Sequence, residues 1–434
     1  MSELKKTLSV LGVAALLGVV ALVSAPRRAV PDAFFDVGEP FFPAFTDPET
    51  ASTLEVVEFD EDTASALPFK VTNRSGLWTI PSHHDYPADG AERLANAAAD
   101  IISVVKDDFR SDNVSDHEAL GVVDPTDDTV GTLVGRGTRI TFKAPGEEVL
   151  ADLIVGKPVP SRPGLRFVRA PGQKRVYTAR FGADISTAFE DWIETNLLDV
   201  ERHQVEQITL NEYFINEQTL SVVRRGEFVL DKTDDGWMAN TVPAGKEVDT
   251  TQVNLLVGAV MTMQITGVRP KPTGLSGNIR EAFEQGQIGE ADVRTLRNRG
   301  FYPTADGGLL SNEGELLVRT NEGILYTLRF GEIVYGRGDA VAVGNETSDE
   351  EETGAGENRY VFITAEFDQT ALPEPEEADA SAHASWEERV REGQEKADLL
   401  GARFAGWYYV IATDSYGRIH RASDEFLKDV EESA

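Results

Sequence analysis

The sequence predicts an α+β protein. We expect an N-terminal transmembrane helix, then two tandem repeats of a mostly antiparallel sheet covered by one helix, plus a C-terminal helix-strand-helix segment. Three observations support this prediction. An uncharged apolar run lies near the N-terminus, two nearly identical six-residue stretches lie in different halves of the chain, and short β-rich segments bounded by turn residues flank one amphipathic segment in each half.

The composition indicates a globular protein and limits its partners. The 434 residues suffice for about two or three domains, and 41% of them are hydrophobic and 26% charged. With 74 acidic and 41 basic residues the formal net charge is −33, which argues against nucleic acid as a partner because both are polyanions. The chain has no cysteine, so disulfides and thiolate metal sites are excluded.

Residues 1–6 form a short tail, and residues 7–25 carry no charge. A helix that rises about 1.5 Å per residue over this run just spans a hydrocarbon layer roughly 30 Å thick. Val23 and Ala25 are also compatible with a cleavable signal peptide, but Pro26 and the length of the run favour a retained anchor. We therefore expect a single-pass protein of the cytoplasmic (inner) membrane with the bulk of the chain extracytoplasmic.

Residues 26–50 contain five prolines, which favour extended backbone, so this segment is interpreted as a semi-rigid spacer. Two phenylalanine pairs, at 34–35 and 41–42, either lie near the membrane interface or pack on the first repeat. The sequence leaves both alternatives open.

The first repeat is assigned to residues 51–206. It begins with strands at 54–59 and 69–72 and a hairpin into a short strand that contains Trp78 and ends at Pro81. Leu94, Ala98 and Ile101 then recur at helical spacing. A glycine-to-Pro turn at 121–126 and further strands, the last of them a hairpin from 165 to 181, complete this repeat.

The second repeat is assigned to residues 207–369 and follows the same order. Trp237 corresponds to Trp78, and Pro243 to Pro81 with two extra residues between. A helix capped by Asp249 or Thr250 follows, with Val253, Leu256, Val257, Val260 and Met261 on one stripe. The strongly acidic segment 347–357 is expected to be a loop between two strands of this repeat.

The repeats share a six-residue strand end, Tyr177-Thr178-Ala179-Arg180-Phe181-Gly182 in the first and Tyr326-Thr327-Leu328-Arg329-Phe330-Gly331 in the second. Recurrence of several landmarks in one order predicts a duplication. We interpret the shared residues as structural, with both arginines paired with acids; an anion pocket between the repeats is the alternative. This structural signature comprises Trp78, Pro81, Tyr177, Arg180, Phe181, Gly182, Trp237, Pro243, Tyr326, Arg329, Phe330 and Gly331.

The C-terminal part has an acidic linker at 370–385 and a final segment at 386–434. This segment is predicted to contain a charged helix, the aromatic strand 407–411 and a short helix around Phe426. Because leaving so apolar a strand exposed to water is costly, we expect it to add to the sheet of a repeat unit.

No catalytic or cofactor signature is present. His83, His84 and Asp85 are weak metal candidates, because neighbouring residues on a strand point in different directions and no further ligand is evident. Asp124 and its acidic neighbours lack the spacing of a calcium loop. The Gly-Arg-Gly triplets at 135–137 and 336–338 lack the lysine of a phosphate loop. The sequence thus predicts no catalytic residue, no metal and no cofactor.

Several of these motifs together resemble a bacterial family known only as a domain of unknown function. They are the Trp78-to-Pro81 segment with its following helix, the glycine-to-Pro turn, the Tyr-Thr-x-Arg-Phe-Gly strand ends and the terminal Trp407-Tyr408-Tyr409-Val410-Ile411. The resemblance covers most of residues 51–434. It implies an anchored protein, often encoded beside gliding-type ABC transporter permease and auxiliary subunits, and it implies no catalytic residues. The longer spacing from Trp237 to Pro243 and the acidic segment 347–357 depart from the pattern.

The expected function is that of a non-catalytic accessory or scaffold of an ABC transporter or another cell-envelope complex. Its expected partners are the membrane, through the N-terminal helix, and envelope proteins such as transporter subunits. The alternative is an envelope hydrolase or glycan-binding protein that uses carboxylates in a cleft between the repeats. A purely structural surface protein is a third interpretation.

Overall fold

The computed structural model describes residues 36–430 except for short stretches. The exceptions are residues 62–63, 130, 183–184, 195, 217, 220, 264, 273–274, 276–281, 283–284, 305–306, 336–356 and 376–379. The predicted tail, the anchor at 7–25, the first part of the spacer and almost all of the acidic segment 347–357 lie outside the described residues. Within the described part, no helix has the length and apolar character needed to cross a membrane.

The chain divides into two compact units. Of the described residues, those within 1–51, 55–67 and 95–184 form the first unit, and those within 52–54, 68–94 and 185–434 form the second. The division passes through the first two strands and the first long helix. Sequence position alone therefore does not separate the units.

The first sheet has nine strands in the order β4-β3-β2-β1-β6-β7-β8-β9-β5. Strand pairs of this sheet such as β6 with β7 and β8 with β9 are antiparallel. The elements of this part are β1 (Thr53–Asp60), β2 (Ser65–Arg74), β3 (Leu77–Ile80), β4 (Tyr86–Pro87), α1 (Ala91–Ile102), β5 (Asp108–Ser111), α2 (His117–Leu120), β6 (Thr138–Lys143), β7 (Val149–Pro158), β8 (Leu165–Arg169) and β9 (Val176–Arg180).

The second sheet has eight strands in the order β12-β11-β10-β17-β18-β19-β20-β14, and two small two-stranded antiparallel sheets, β13-β21 and β15-β16, accompany it. Its elements are β10 (Val205–Asn216), β11 (Ser221–Thr233), β12 (Gly236–Ala239), β13 (Lys246–Val248), α3 (Thr250–Met261), β14 (Ile265–Pro270), α4 (Glu290–Arg297), β15 (Phe301–Pro303), β16 (Leu309–Ser311), β17 (Glu315–Thr320), β18 (Ile324–Tyr335), β19 (Glu357–Phe367), α5 (Ala380–Ala405), β20 (Trp407–Ala412), α6 (Thr413–Ile419) and β21 (Leu427–Asp429).

Each sheet has its own core. In the first unit, Leu120, Val122, Ile154, Phe167 and Val176 form a buried apolar cluster. In the second unit, a larger cluster draws on α4, β15, β16, β18, β19 and β20, and it includes Leu296, Phe301, Phe362 and Tyr408. Burial of such clusters is the main favourable term in folding.

The helix α3 shows how local sequence sets an element. Asp249 accepts hydrogen bonds from the backbone N–H groups of Thr251 and Gln252, at 3.0 and 3.3 Å, and so caps the helix start. Val253, Leu256, Val257 and Val260 are buried along one stripe. Helices such as α3, together with the antiparallel strand pairs of both sheets, confirm the predicted α+β fold.

The C-terminal segment differs in detail from the prediction. The helix α5 begins at Ala380, inside the stretch expected to be a linker, because an alanine-rich start and Trp386 allow a helix that packs on β19. The aromatic strand β20 pairs with β19 and β14. Around Phe426 the chain forms a 3₁₀ turn, Ser423–Phe426, followed by β21, instead of an α-helix.

Candidate functional site

His83 lies at the end of a 3₁₀ turn, Pro81–His83, and its side chain is buried. Its ring stacks on Phe189 with the centroids 4.5 Å apart, and its Nδ1 lies 3.1 Å from Ser82 Oγ. Burial lowers the pKa of His83 to about 4, and the nearby charges of His84 and Arg269 add to this effect. The ring is thus a neutral core side chain at physiological pH.

His84 and Asp85 follow with left-handed backbone, at φ of 60° and 59°. The Asp85 carboxylate accepts a hydrogen bond from Arg74 Nη1 at 3.0 Å, in an exposed ion pair. In the part of the chain that the structure describes, no three His, Cys, Asp or Glu side chains are grouped so that they could hold a metal ion. His83 therefore packs in the core, His84 forms part of the turn, and Asp85 lies at the surface.

The two six-residue stretches begin on strands of different sheets, β9 in the first and β18 in the second. Tyr177 is on β9, between β8 and β5, and its hydroxyl donates to Asp36 at 2.6 Å. Burial opposes ionisation of Asp36, but hydrogen bonds from Tyr177 and Lys106 outweigh it and lower the Asp36 pKa. Tyr326 is on β18, between β17 and β19, and its hydroxyl donates to the Leu198 carbonyl at 2.6 Å.

The remaining signature residues also differ between the halves. Arg180 is exposed, whereas Arg329 is mostly buried and contacts Glu315 at 3.2 Å. Trp78 and Trp237 are only half-buried. The tryptophan that fills a core is instead Trp192 of the second unit, which is fully buried and lies 5.7 Å from the Phe69 ring. Sequence reasoning missed it because nothing in its neighbourhood is repeated.

The sheet of the second unit has an open edge, defined as residues 221–226 of β11. These residues pair with β10 on one side. On the other side β12 pairs with β11 only over Leu230–Thr233, and Asn240 bonds backbone groups of Glu227 and Val229. No other described strand pairs with residues 221–226.

The open edge is exposed along its whole length. Val222 and Val223 are 37% and 38% exposed, which is high for valine side chains. Arg224 and Arg225 follow, and the pairing with β10 shifts register at this point. Such a bulge twists a strand edge. The Arg225 guanidinium lies 5.1 Å from the centre of the Phe214 ring.

A cavity of about 570 Å³ lies beside Arg225, between β10 and the segment 419–424. Several of its polar groups are held by internal hydrogen bonds. Ser423 donates from its backbone N–H to Glu212 at 2.6 Å, and Tyr213 donates to Glu315 at 2.8 Å. Burial raises the pKa of Tyr213. The cavity therefore offers space beside the open edge, and the carboxylates of Glu212 and Glu315 in its lining are already hydrogen-bonded.

In the sequence, the β-rich pattern of this strand is confined to residues 228–230. Gly226 interrupts the β-rich pattern, and residues 222–225 combine two valines with two arginines. The signal that was available is the exposed Val-Val-Arg-Arg run, since apolar residues beside like charges are typical of strand edges that meet solvent.

The fold is α+β with antiparallel strand pairs, and residues 221–226 form an exposed strand edge. A protein family described as "Domain of unknown function (DUF4340)" matches residues 78–277, a range that runs from β3 past β14 and includes the open edge. The predicted resemblance to a domain of unknown function is confirmed to that extent. No curated protein and no solved structure matches the chain.

Proposed function

We propose that this protein is a non-catalytic accessory or scaffold of a cell-envelope complex, such as an ABC transporter, and that it binds a partner protein at the open edge of β11. The observation that carries the proposal is the open edge itself, where residues 221–226 are exposed and pair on one side only among the described strands. An unpaired strand edge presents a row of backbone donors and acceptors that an extended segment can complete.

The side chains of the open edge select the partner's chemistry. Val222 and Val223 offer apolar contacts, and Arg224 and Arg225 form a local basic site in a chain whose formal net charge is −33. A partner segment that alternates apolar and acidic residues complements both features. The cavity beside Arg225 provides room for one of its side chains.

The membrane setting rests on the sequence. The uncharged residues 7–25 support a single-pass anchor, and the proline-rich residues 26–50 support a spacer that holds the remainder away from the bilayer. The proposed location is the inner membrane with the bulk of the chain extracytoplasmic. The resemblance to a family often encoded beside gliding-type ABC transporter genes supports transporter subunits as the partner class, and the net acidity supports the absence of a nucleic-acid partner.

The proposal includes a duplication, and strand order supports it. Without β4, the first sheet has the order β3-β2-β1-β6-β7-β8-β9-β5, and the second has β12-β11-β10-β17-β18-β19-β20-β14. When the two orders are matched position by position, β3 corresponds to β12 and β5 to β14. The helix α1 follows β3 and precedes β5 in the chain, and α3 likewise follows β12 and precedes β14, so the two helices correspond. This correspondence extends the second repeat to β20. In this correspondence β9 is the counterpart of β20, and β7 is the counterpart of β18. The twin six-residue stretches, on β9 and β18, therefore occupy different places in the two copies.

Carboxyl groups with altered pKa give the hydrolase alternative no support. The hydrogen bond that the Thr129 hydroxyl donates to Asp127 is the largest cause of the lowered pKa of Asp127. The pKa of Asp36 is lowered as well. A general acid in a glycosidase needs the opposite change. Accordingly we propose no second function.

Site-specific photo-crosslinking in native membranes tests the proposal. A benzophenone amino acid at Val223 of the full chain should capture a permease or another envelope protein, identified by mass spectrometry. The control is the same probe at Leu399, an exposed leucine on α5. Capture of the same proteins from both positions, or no captured protein from Val223, would refute binding at the open edge.

A charge reversal gives an independent measurement. Replacing both arginines, Arg224→Glu and Arg225→Glu, should lower recovery of the partner in a detergent pull-down by about tenfold, because the acidic segment is then repelled. Arg391→Glu, at an exposed arginine of α5, is the matched control and should leave recovery unchanged.

A further inference from the structure

A cleft of about 640 Å³ lies in the second unit between β19 and the C-terminal half of α5; we refer to it as the α5 cleft. The helix contributes Ala397, Gly401 and Ala405 at four-residue spacing, and their small side chains leave the space open. A Cβ atom added at Gly401 would lie 3.4 Å from the Ala365 carbonyl oxygen, which is an ordinary contact. Leu309 and Phe362 line the cleft with apolar side chains. The volume is in the range of small-molecule sites.

Lys271 lines the α5 cleft and is only 7% exposed. Its Nζ donates one hydrogen bond, to the Phe404 carbonyl in the last turn of α5 at 3.0 Å. The same nitrogen lies 3.6 Å from the centre of the Phe362 ring and 5.8 Å from that of Tyr408. An ammonium group has three N–H donors, so the helix end uses one of them.

Arg329 lines the same cleft from β18. Its Nε donates to the Leu309 carbonyl at 2.9 Å and to Glu315 at 3.2 Å, and its Nη1 lies 3.3 Å from Thr364 Oγ1. Glu315 therefore balances the guanidinium charge. The α5 cleft thus contains two basic side chains, of which one has a carboxylate partner.

Lys271 has no such partner among the described residues. Burial lowers the pKa of Lys271 well below its ordinary value, and the charge of Arg329 lowers it further. The other charged groups in the lining are Glu366 on β19 and Asp398 on α5, and both are exposed. The Lys271 amine is buried, lacks a counter-charge among the described residues and borders an open space. An anionic ligand in that space would supply the counter-charge.

We propose that the α5 cleft binds a small monocarboxylate with a compact apolar body, its carboxylate placed between Lys271 and Arg329 and its apolar part against Phe362 and the small residues of α5. Charge-assisted hydrogen bonds from an ammonium and a guanidinium are the strong contacts for a carboxylate. Glu366 and Asp398 repel additional negative charge, which disfavours multiply charged ligands. This site is separate from the open edge and does not depend on the proposed partner.

Binding is coupled to protonation of Lys271. A carboxylate beside the amine favours the ammonium form, so the complex takes up a proton wherever the free protein holds the neutral amine. Affinity should therefore fall as pH rises. The charged side chains that line the cleft with Lys271 are Arg329, which is paired with Glu315, and the exposed Glu366 and Asp398. The centre of the Tyr408 ring also lies 5.8 Å from the Lys271 nitrogen.

Calorimetric titration of the full chain in detergent with benzoate tests the proposal, with benzamide as the neutral analogue and sulfate as an inorganic anion. Benzoate should bind at one site, with affinity that declines as pH rises and with a proton uptake that is visible in buffers of different ionisation enthalpy. Absence of benzoate binding, or equal binding of benzamide or sulfate, would overturn the monocarboxylate site.

Three variants locate the site. Lys271→Met keeps the apolar stem and should weaken benzoate at least about tenfold, provided that circular dichroism shows a native fold. Asp398→Asn removes an exposed charge from the lining and should strengthen benzoate about two- to threefold. Glu388→Gln, at an exposed acid on the same helix outside the cleft, is the control and should change nothing. Equal affinity in wild type and Asp398→Asn, or in wild type and folded Lys271→Met, would contradict binding in the α5 cleft.

Discussion

At the scale of single residues, surroundings decide what each histidine does. His83 is 2% exposed and stacks on Phe189, and its Nε2 has no hydrogen-bond partner within the described structure. His203 lies at the surface beside Glu201, with a side chain that is 72% exposed. A histidine whose charged form is excluded by burial makes folding depend on pH.

The pH dependence of stability follows from the lowered pKa of His83, which is about 4 in the folded chain against an ordinary value of 6.5. Between these values the unfolded chain binds the proton more tightly. The contribution of His83 to stability is therefore complete above pH 6.5 and is lost as pH falls towards 4, by about 3 kcal/mol in total. His83→Phe keeps the ring stacking and should remove this part of the acid sensitivity.

Urea unfolding at pH 7 and pH 4.5 measures the effect. The free energy of unfolding should fall less in His83→Phe than in wild type, and His203→Phe should behave as wild type because its ring is exposed. An equal fall in wild type and His83→Phe would show that this histidine is not the buried neutral group described above.

At the scale of elements, similar sequence does not guarantee an equivalent position. Gly182 follows β9, and an added Cβ atom there would have no atom within 4 Å. Gly331 lies within β18, where the pairing with β19 shifts register between Phe330 and Ile333. A Cβ atom at Gly331 would lie 2.2 Å from the Arg299 carbonyl oxygen and 2.7 Å from the Phe301 ring. Only the second glycine is required by close backbone approach.

Substituting alanine at the two glycines separates these roles. Gly331→Ala should lower the free energy of unfolding by about 1–3 kcal/mol, because β18 or the Arg299 backbone has to move. Gly182→Ala should stay within about 0.5 kcal/mol of wild type. Denaturant melts of both variants give the comparison. Equal stability of the two variants would show that close backbone approach does not require glycine at position 331.

Elements with a strong local pattern could be predicted, and those held by distant contacts could not. The α3 stripe from Val253 to Val260 was predictable because helical periodicity is a property of neighbouring residues. The strand β20 was predictable because Tyr408 and Tyr409 sit in an apolar run, and both are fully buried. The length of β11 was not predictable, since its first half is defined by pairing with β10 and carries little apolar pattern of its own.

At the scale of the whole molecule, acidity is the dominant property. The formal net charge of −33 is spread over a chain of 434 residues. Ion pairs such as Arg139 with Asp124 and Asp152 offset it locally, at 3.3 and 2.7 Å. Excess charge of one sign favours solubility and destabilises the compact state through self-repulsion.

Salt should therefore stabilise the folded chain. Raising NaCl from about 0.05 M to about 0.5 M shortens the range of the repulsion and should raise Tm by about 2–4 °C, which corresponds to about 1 kcal/mol. Thermal unfolding followed by circular dichroism is the measurement. KCl should have the same effect because screening is not specific for the cation. A Tm that falls with salt would mean that attractive ion pairs outweigh repulsion.

The sequence by itself determined the α+β class, the acidity, the lack of thiol chemistry and the positions of strongly periodic elements, because each of these depends on composition or on residues close together in the chain. The tertiary structure alone decided that Lys271 and Arg329 line one cleft, that His83 is stacked and neutral, and that residues 221–226 form an open edge. These features depend on which distant segments pack together. This packing is determined by many weak contacts between residues far apart in sequence, so it cannot be predicted from a local sequence pattern.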